Sequence, residues 1–205
     1  MRIGLIDYAA GNLRSVSNAF KALGARDLTL VSTPGELAAC DKIVLPGVGA
    51  FPKAMRHLRE SGLAEALDRE VRRGKLFLGI CLGMQLAMDF SLELGRTEGF
   101  GWVRGGVTPF PRDMGLSVPH VGWNDVRRAR TSALLADLPE STDFYFVHGF
   151  YVSCDDPGDV LLWCNYGMDF AAAIQKDNVM GTQFHPEKSQ THGLKLLENF
   201  MNMPC

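Results

Sequence analysis

Lys75-Leu-Phe-Leu-Gly-Ile-Cys-Leu-Gly-Met-Gln85 is an apolar run that ends on a thiol set between two glycines. Leu76-Phe77-Leu78 has the character of a buried strand, and Met84, Leu86 and Ala87 continue as a helix. Cys81 stands between them in the pattern Gly79-x-Cys81-x-Gly83, the thiol version of the nucleophile elbow. In such an elbow a sharp strand-to-helix turn presents the reactive atom at the edge of a sheet. Side chains two residues to either side of so tight a turn would collide. The following helix directs free N–H groups and the positive end of its dipole at the sulfur, which favours thiolate. An unperturbed thiol of pKa ~8.5 is only about 3% thiolate at pH 7, so such a shift adds reactivity. The plainer reading of the same residues is a buried structural cysteine beside a glycine-rich turn.

Working outward from this stretch, strands and helices alternate. Residues 3–6 form a buried strand ending at Asp7 and a Gly11-Asn12 turn. Leu13, Val16, Ala19, Phe20 and Leu23 then recur at helical spacing until Gly24 stops them. A second strand covers 28–31, Thr33-Pro34 opens a short helix, and a third strand over 42–45 breaks at Pro46-Gly-Val-Gly49. Two helices follow, one ending near Gly62 and one over 63–73. This alternation predicts an α/β fold with a doubly wound, mostly parallel sheet. Later the character changes: 106–110, 122–126, 144–152, 160–166, 170–175 and 179–184 read as strands joined by turns. They predict an antiparallel extension, closed by a helix over 193–201.

A thiol nucleophile needs a base. Val179-Met-Gly-Thr-Gln-Phe184 runs directly into His185-Pro-Glu-Lys-Ser189. A histidine can take the thiol proton and return it to a leaving amine, while Glu187 holds the other ring nitrogen and fixes its tautomer. Pro186 stiffens the backbone between them. His-Pro-Glu alone is a weak signal; behind a Gly-x-Cys-x-Gly elbow, in the order Cys, His, Glu, it is far more specific.

These stretches, together with Pro46-Gly-Val-Gly49, resemble the triad-type (class I) glutamine amidotransferases. Within that family, Pro46-Gly-Val-Gly-Ala-Phe51, Pro119-His-Val-Gly-Trp-Asn124, Tyr145-Phe-Val-His148 and His185-Pro-Glu-Lys-Ser189 are similar to marks of the glutaminase subunits of imidazole glycerol phosphate synthase, from histidine biosynthesis. The resemblance runs from Met1 to about Met201. It implies a flavodoxin-like class I amidotransferase fold and the hydrolysis of glutamine. Cys81 would attack the side-chain amide, ammonia would leave, and water would cleave the thioester to release glutamate, with His185 and Glu187 completing the triad. The oxyanion of the intermediates would be met by Leu82 N–H and by backbone of Val48 and Gly49, each donor worth roughly 3–4 kcal/mol. Gly47, Gln85, Gly149 and Phe150 are expected to bind glutamine, with His148 in the segment lining its pocket. The family usually carries Ser or Thr at position 149 and Tyr at 150; Gly149 and Phe150 depart from that, and glutamine affinity is weakened if the hydroxyls matter.

Length and composition set the frame for this reading. The chain has 205 residues, 46% hydrophobic and 21% charged, which suits one ordinary globular domain over 1–205. A net charge of −2 gives no global argument for nucleic acid or an anionic membrane. The apolar run at Met1-Arg-Ile-Gly-Leu-Ile-Asp7 is too short for a signal peptide, and no stretch reaches membrane-spanning length. Cys40, Cys81, Cys154, Cys164 and Cys205 are irregularly spaced, which suggests neither a disulfide framework nor a metal pair and fits a reducing cytoplasm. His57 and His192 read as surface helix residues without a role.

The ammonia must then be used elsewhere. A (β/α)8 barrel alone takes about 250 residues, so the chain has no room for a second catalytic domain. It carries no phosphate-binding glycine loop or metal-ligand cluster, and the resemblance implies no cofactor. In the resembled enzymes the acceptor reaction belongs to a (β/α)8-barrel cyclase subunit in a heterodimer. That cyclase joins ammonia to a phosphorylated ribulosyl aminoimidazole-carboxamide nucleotide, giving imidazole glycerol phosphate and an aminoimidazole-carboxamide ribotide. Asn12, Trp123, Tyr145 and Lys188 match positions the family presents near that partner; read singly, each is equally a turn, core or surface residue. A paralogous glutaminase feeding a sugar-amidating synthase for surface-glycan or flagellin decoration is the alternative, left open only by Gly149-Phe150. A non-catalytic binding module on the same fold fits less well, because Cys81, His185 and Glu187 are all intact. A vitamin B6-type glutaminase would carry Gly-Gly-Glu-Ser where this chain has Pro46-Gly-Val-Gly49.

Overall fold

The computed structural model describes residues 1–8, 12–111 and 113–205. The Gly11 half of the expected Gly11-Asn12 turn lies outside these residues. In chain order the first elements are β1 (Ile3–Ile6), α1 (Leu13–Ala22), β2 (Leu28–Val31), α2 (Pro34–Ala38), β3 (Lys42–Gly47), α3 (Phe51–Glu60), α4 (Leu63–Arg72), β4 (Leu76–Cys81) and α5 (Leu82–Leu86). There follow β5 (Met88–Ser91), β6 (Thr97–Glu98), β7 (Val103–Pro109), β8 (His120–Arg128), β9 (Ser141–His148), β10 (Phe150–Cys154), β11 (Val160–Asn165), β12 (Asp169–Lys176), β13 (Val179–Thr182) and α6 (Gln190–Asn202).

Successive side chains of a strand face opposite sides, and here both sides are apolar, so both must be covered. Ile6, Ile43, Leu45 and Phe77 join Leu37 of α2, Leu58 of α3 and Leu67 of α4 in one core. Leu5, Val44, Leu78 and Met180 meet Val16 and Phe20 of α1 and Leu196, Leu197 and Phe200 of α6 in the other. The helices start where local chemistry supplies their free N–H groups with acceptors. Asn12 accepts from Ser15 N at the head of α1, and Thr33 and Glu36 form a reciprocal capping box at α2. At the other end of the molecule, the fully buried Lys42 ammonium donates to the carbonyls of Phe200, Met201 and Met203 and so closes the C-terminus of α6.

The main sheet has nine strands in the order β2-β1-β3-β4-β13-β12-β11-β8-β9. From β2 to β13 neighbours are parallel; from β13 onward each pairing is antiparallel. The doubly wound parallel sheet with an antiparallel extension is therefore present, in an α/β fold.

Three local expectations need correction. The third strand does not break at Pro46: it continues to Gly47, pairing Pro46 with Ile80 and Gly47 with Cys81. Residues 144–152 are two strands, β9 in the main sheet and β10 in a second one, parted at Gly149. The buried alternation Phe144, Phe146, His148 resumes at Val152 in phase, so periodicity runs through the change of sheet unseen. The helix after Cys81 is only five residues long, and Met88 already begins β5 of the second sheet, ordered β10-β7-β5-β6. Met84, Leu86, Ala87 and Met88 are all buried, and a continuous apolar run does not distinguish helix from strand.

Candidate active site

The parallel register brings the ends of β3, β4 and β13 to one edge of the sheet, and every reactive group of the site hangs from that edge. Cys81 is the last residue of β4, with φ +54° and ψ −106°, outside the ordinary regions for a side-chain-bearing residue. The turn is that tight because the elbow glycines touch. A Cβ on Gly79 would lie 2.5 Å from the backbone of Gly83, and a Cβ on Gly83 would lie 1.8 Å from the carbonyl oxygen of Leu45. Cys81 is 6% exposed, and its sulfur lies 3.9 Å from the carbonyl oxygen of Val147. The side-chain amide of Gln183 donates toward the sulfur at 3.6 Å.

His185 follows β13 by three residues, and a hydrogen bond from its backbone N–H to Tyr145 O (2.9 Å) fixes its position. Its Nδ1 donates to Glu187 Oε1 at 2.8 Å, and the two side chains are 3% and 1% exposed. Ser189 Oγ donates to His185 O and accepts from Tyr145 N, which pins the turn from below. With Nδ1 carrying the proton toward the carboxylate, Nε2 is the free nitrogen; it is buried without a hydrogen-bond partner among the described residues. The Cys81 sulfur still stands close enough to act on it electrostatically. Burial, the largest effect, pulls the imidazole pKa down. The Cys81 sulfur and the Glu187 carboxylate outweigh burial and leave it pushed up to about 9. The ring is therefore a proton holder at neutral pH.

A cavity of about 370 Å³ opens over the sulfur. Val48 and Gly49, Cys81 with Leu82 and Gln85, the segment from Val147 to Phe150, and Glu93 and Pro119 line it. Of the expected substrate residues, Gln85, Gly149 and Phe150 line the cavity; Gly47 is not among its lining residues and packs behind it against Tyr8 and Leu82. The Gln85 amide nitrogen is committed to Phe150 O and Gln183 Oε1, both at 3.1 Å. Gly49 has φ +98°, a torsion that suits glycine.

Of the residues expected at a partner interface, three come together. Trp123 and Tyr145 are register partners on β8 and β9 with ring centroids 6.1 Å apart, and the Lys188 ammonium sits 5.7 Å from the Tyr145 ring centroid. Trp123 is 47% exposed. Asn12 serves as the α1 cap.

Three polar residues of the site, Gln183, Glu93 and His120, had no role in the sequence reading. Gln183 joins Gln85 to the sulfur, and it lies inside the Gly181–Glu187 motif, where a buried glutamine beside the base was the available signal. Glu93 places the only carboxylate among the cavity-lining residues, its Oε2 accepting from Phe51 N at 2.7 Å; nothing near it in sequence marks it out. His120 Nδ1 and His148 Nε2 are 3.1 Å apart, and His148 Nδ1 donates to Phe150 O at 2.8 Å. The Phe150 carbonyl thereby receives two donors, Gln85 and His148, and the cavity wall is held through its main chain.

Residues 4–203 match the family model described as glutamine amidotransferase class-I. Imidazole glycerol phosphate synthase subunit HisH 1 of Campylobacter jejuni strain RM1221 is 48% identical, aligned over 98% of this chain and 100% of that one. Imidazole glycerol phosphate synthase subunit HisH of Geobacter sulfurreducens is 44% identical over 98% of this chain and 99% of its own length. The solved structure of PurLQS from Thermotoga maritima, 19% identical, superposes with a TM-score of 0.77 over 98% of this chain and 97% of that one, a likeness of fold.

Proposed function

Since the chain belongs to the class-I glutamine amidotransferase family, we propose that it is the glutaminase subunit of an imidazole glycerol phosphate synthase, acting in histidine biosynthesis as one domain over 1–205. The observation that carries the reading is Cys81 on a positive-φ elbow at the floor of a cavity, with the buried His185–Glu187 pair beside it. Near full-length identity to subunits of that name supports the choice of acceptor.

In this mechanism the Cys81 sulfur adds to the side-chain amide carbon of glutamine, and an oxyanion forms. Backbone N–H groups of Leu82 and of the Val48–Gly49 segment receive it. His185 passes its proton from Nε2 to the amide nitrogen, the C–N bond breaks, and ammonia leaves. Water then gives a proton to Nε2 while its oxygen adds to the thioester, and collapse releases glutamate and restores the sulfur. Glu187 keeps Nδ1 protonated, so Nε2 is the nitrogen that exchanges protons throughout. Glu93, in the cavity lining, is placed to accept the substrate's α-ammonium, a charge that needs a carboxylate within a partly dry pocket. Gly149 and Phe150 line the pocket, and the Phe150 carbonyl network with Gln85 and His148 needs no side-chain hydroxyl at either position.

The ammonia goes to a separate (β/α)8-barrel cyclase subunit, docked over Trp123, Tyr145 and Lys188, with Asn12 at the same interface. The glutaminase is silent until partner and acceptor are bound, because ammonia released into water is mostly trapped as ammonium. The gate is the Pro46–Gly49 segment, whose peptides turn either a carbonyl or an N–H to the oxyanion. Exchanging an acceptor for a donor is worth at least about 3–4 kcal/mol, a rate change of roughly 100- to 1000-fold. Co-expression with a candidate cyclase tests the function: glutamine-dependent imidazole product is expected only when both chains are present. Glutamine-dependent product on a sugar acceptor instead would move the chain to the paralogous role.

A further inference from the structure

Two residues beyond β1, Tyr8 is 4% exposed, and its hydroxyl is buried with no hydrogen-bond partner among the described residues. Native folds keep few unpaired buried hydroxyls, because each forfeits its bonds to water and gains none in return. The place of this one is specific. A Cβ built on Gly47 would lie 2.2 Å from the Tyr8 oxygen and 2.9 Å from Leu82 Cβ. The hydroxyl thus fills the space a side chain at position 47 would take. It lies against the segment that carries the expected oxyanion donors and beside the residue that follows the nucleophile. Tyr8 is also near enough to Cys81 for the two to interact electrostatically. Burial first, and then that interaction, keep the phenol protonated far above neutral pH, so it is always a donor.

We propose that Tyr8 is a positioning residue for the oxyanion segment: its hydroxyl donates to the Gly47 carbonyl when the Gly47–Val48 peptide turns its N–H toward the substrate. A peptide group that brings its N–H into the site swings its carbonyl out by about half a turn, as planarity requires. In a dry interior that carbonyl must find a donor. Tyr8 is buried, without a hydrogen-bond partner among the described residues, and adjacent to the residue that bears it. The unpaired hydroxyl of the resting arrangement becomes paired in the competent one, so the equilibrium between the two is biased toward competence. The inference rests on the glutaminase reading and adds to it a residue outside the cavity that sets how often the oxyanion site is assembled.

Tyr8→Phe in the complex with the barrel partner tests this, because the ring and its packing remain and only the hydroxyl goes. Three quantities are read: steady-state glutamate release, thermal midpoint, and the rate at which iodoacetamide alkylates Cys81, a reaction that needs no oxyanion donor. The expected result is a kcat about ten-fold lower with KM for glutamine unchanged. The midpoint should be unchanged or slightly higher, since an unpaired polar group has been removed, and alkylation should run at the wild-type rate. A kcat within about two-fold of wild type overturns the proposal. So does a fall in kcat matched by falls in midpoint and alkylation, which would make Tyr8 a packing residue. A wild-type complex that alkylates normally yet releases no glutamate would refute the glutaminase reading itself, and this inference with it.

Discussion

His120 and His148 face one another across β8 and β9, with Nδ1 of the first 3.1 Å from Nε2 of the second. Asn124 donates to the far nitrogen of His120, and the Tyr166 ring stacks on its face at 4.0 Å. Burial pushes His120 down to about 4. Burial likewise pushes His148 down to about 3, with the Phe150 carbonyl opposing and His120 and His185 adding to the effect. In the unfolded chain both titrate near 6.5, so between about 6.5 and 4 the unfolded state holds more protons and stability falls as pH falls. Each histidine contributes a slope that rises toward about 1.4 kcal/mol per pH unit below 6.5, so lowering the pH from 6.5 to 5 removes about 1.6 kcal/mol per ring and about 3 for the pair. His185 works in the other direction. Its folded pKa is raised to about 9, so its contribution is complete below about 6.5 and is lost as pH rises through 9. The two windows meet near pH 6.5, where stability should peak, above the range in which carboxylates titrate. Urea denaturation of the wild type and of a His120→Asn/His148→Gln double variant from pH 8 to 5 checks this. The wild type should lose about 3 kcal/mol below its maximum, while the variant stays within about 1 kcal/mol. Parallel profiles for the two proteins would refute the argument.

Two other perturbations follow from the same geometry. Lys188→Ala should weaken docking of the barrel partner by about 2–5 kcal/mol if the ammonium meets a buried carboxylate there, read by calorimetric titration; unchanged affinity and turnover would leave Lys188 in solvent. Gly83→Ala places a Cβ 1.8 Å from Leu45 O, so the elbow must deform; a loss of more than about 3 kcal/mol or no soluble protein is expected, and a wild-type melting curve would contradict the packing described.

What could be read from the chain follows a physical line. The parallel half of the sheet was legible because its strands are apolar on both faces and its helices carry strong 3.6-residue spacing, as in Val16, Ala19 and Phe20. The turn at Cys81 was legible because close packing there leaves room only for glycine on either side, a constraint written in adjacent residues. Gly149 hid a change of sheet because the burial phase is the same before and after it. Glu93, Tyr8 and His120 were silent for a different reason. Each meets a neighbour distant in sequence, namely Phe51, Gly47 and His148, and no local pattern encodes that meeting. Gln85 drew attention as a substrate contact, yet its amide nitrogen is bonded to Gln183 and the Phe150 carbonyl, partners 98 and 65 residues away.

The most direct test of the account is glutamate release from glutamine by the two-chain complex carrying Cys81→Ala, with free ammonia supplied in parallel at high pH. Loss of the sulfur removes the attacking atom, so glutamate release should fall by several orders of magnitude. The ammonia-supported reaction of the partner should continue, because that chemistry needs no glutaminase. Sustained glutamate release by a verified Cys81→Ala complex would contradict the mechanism.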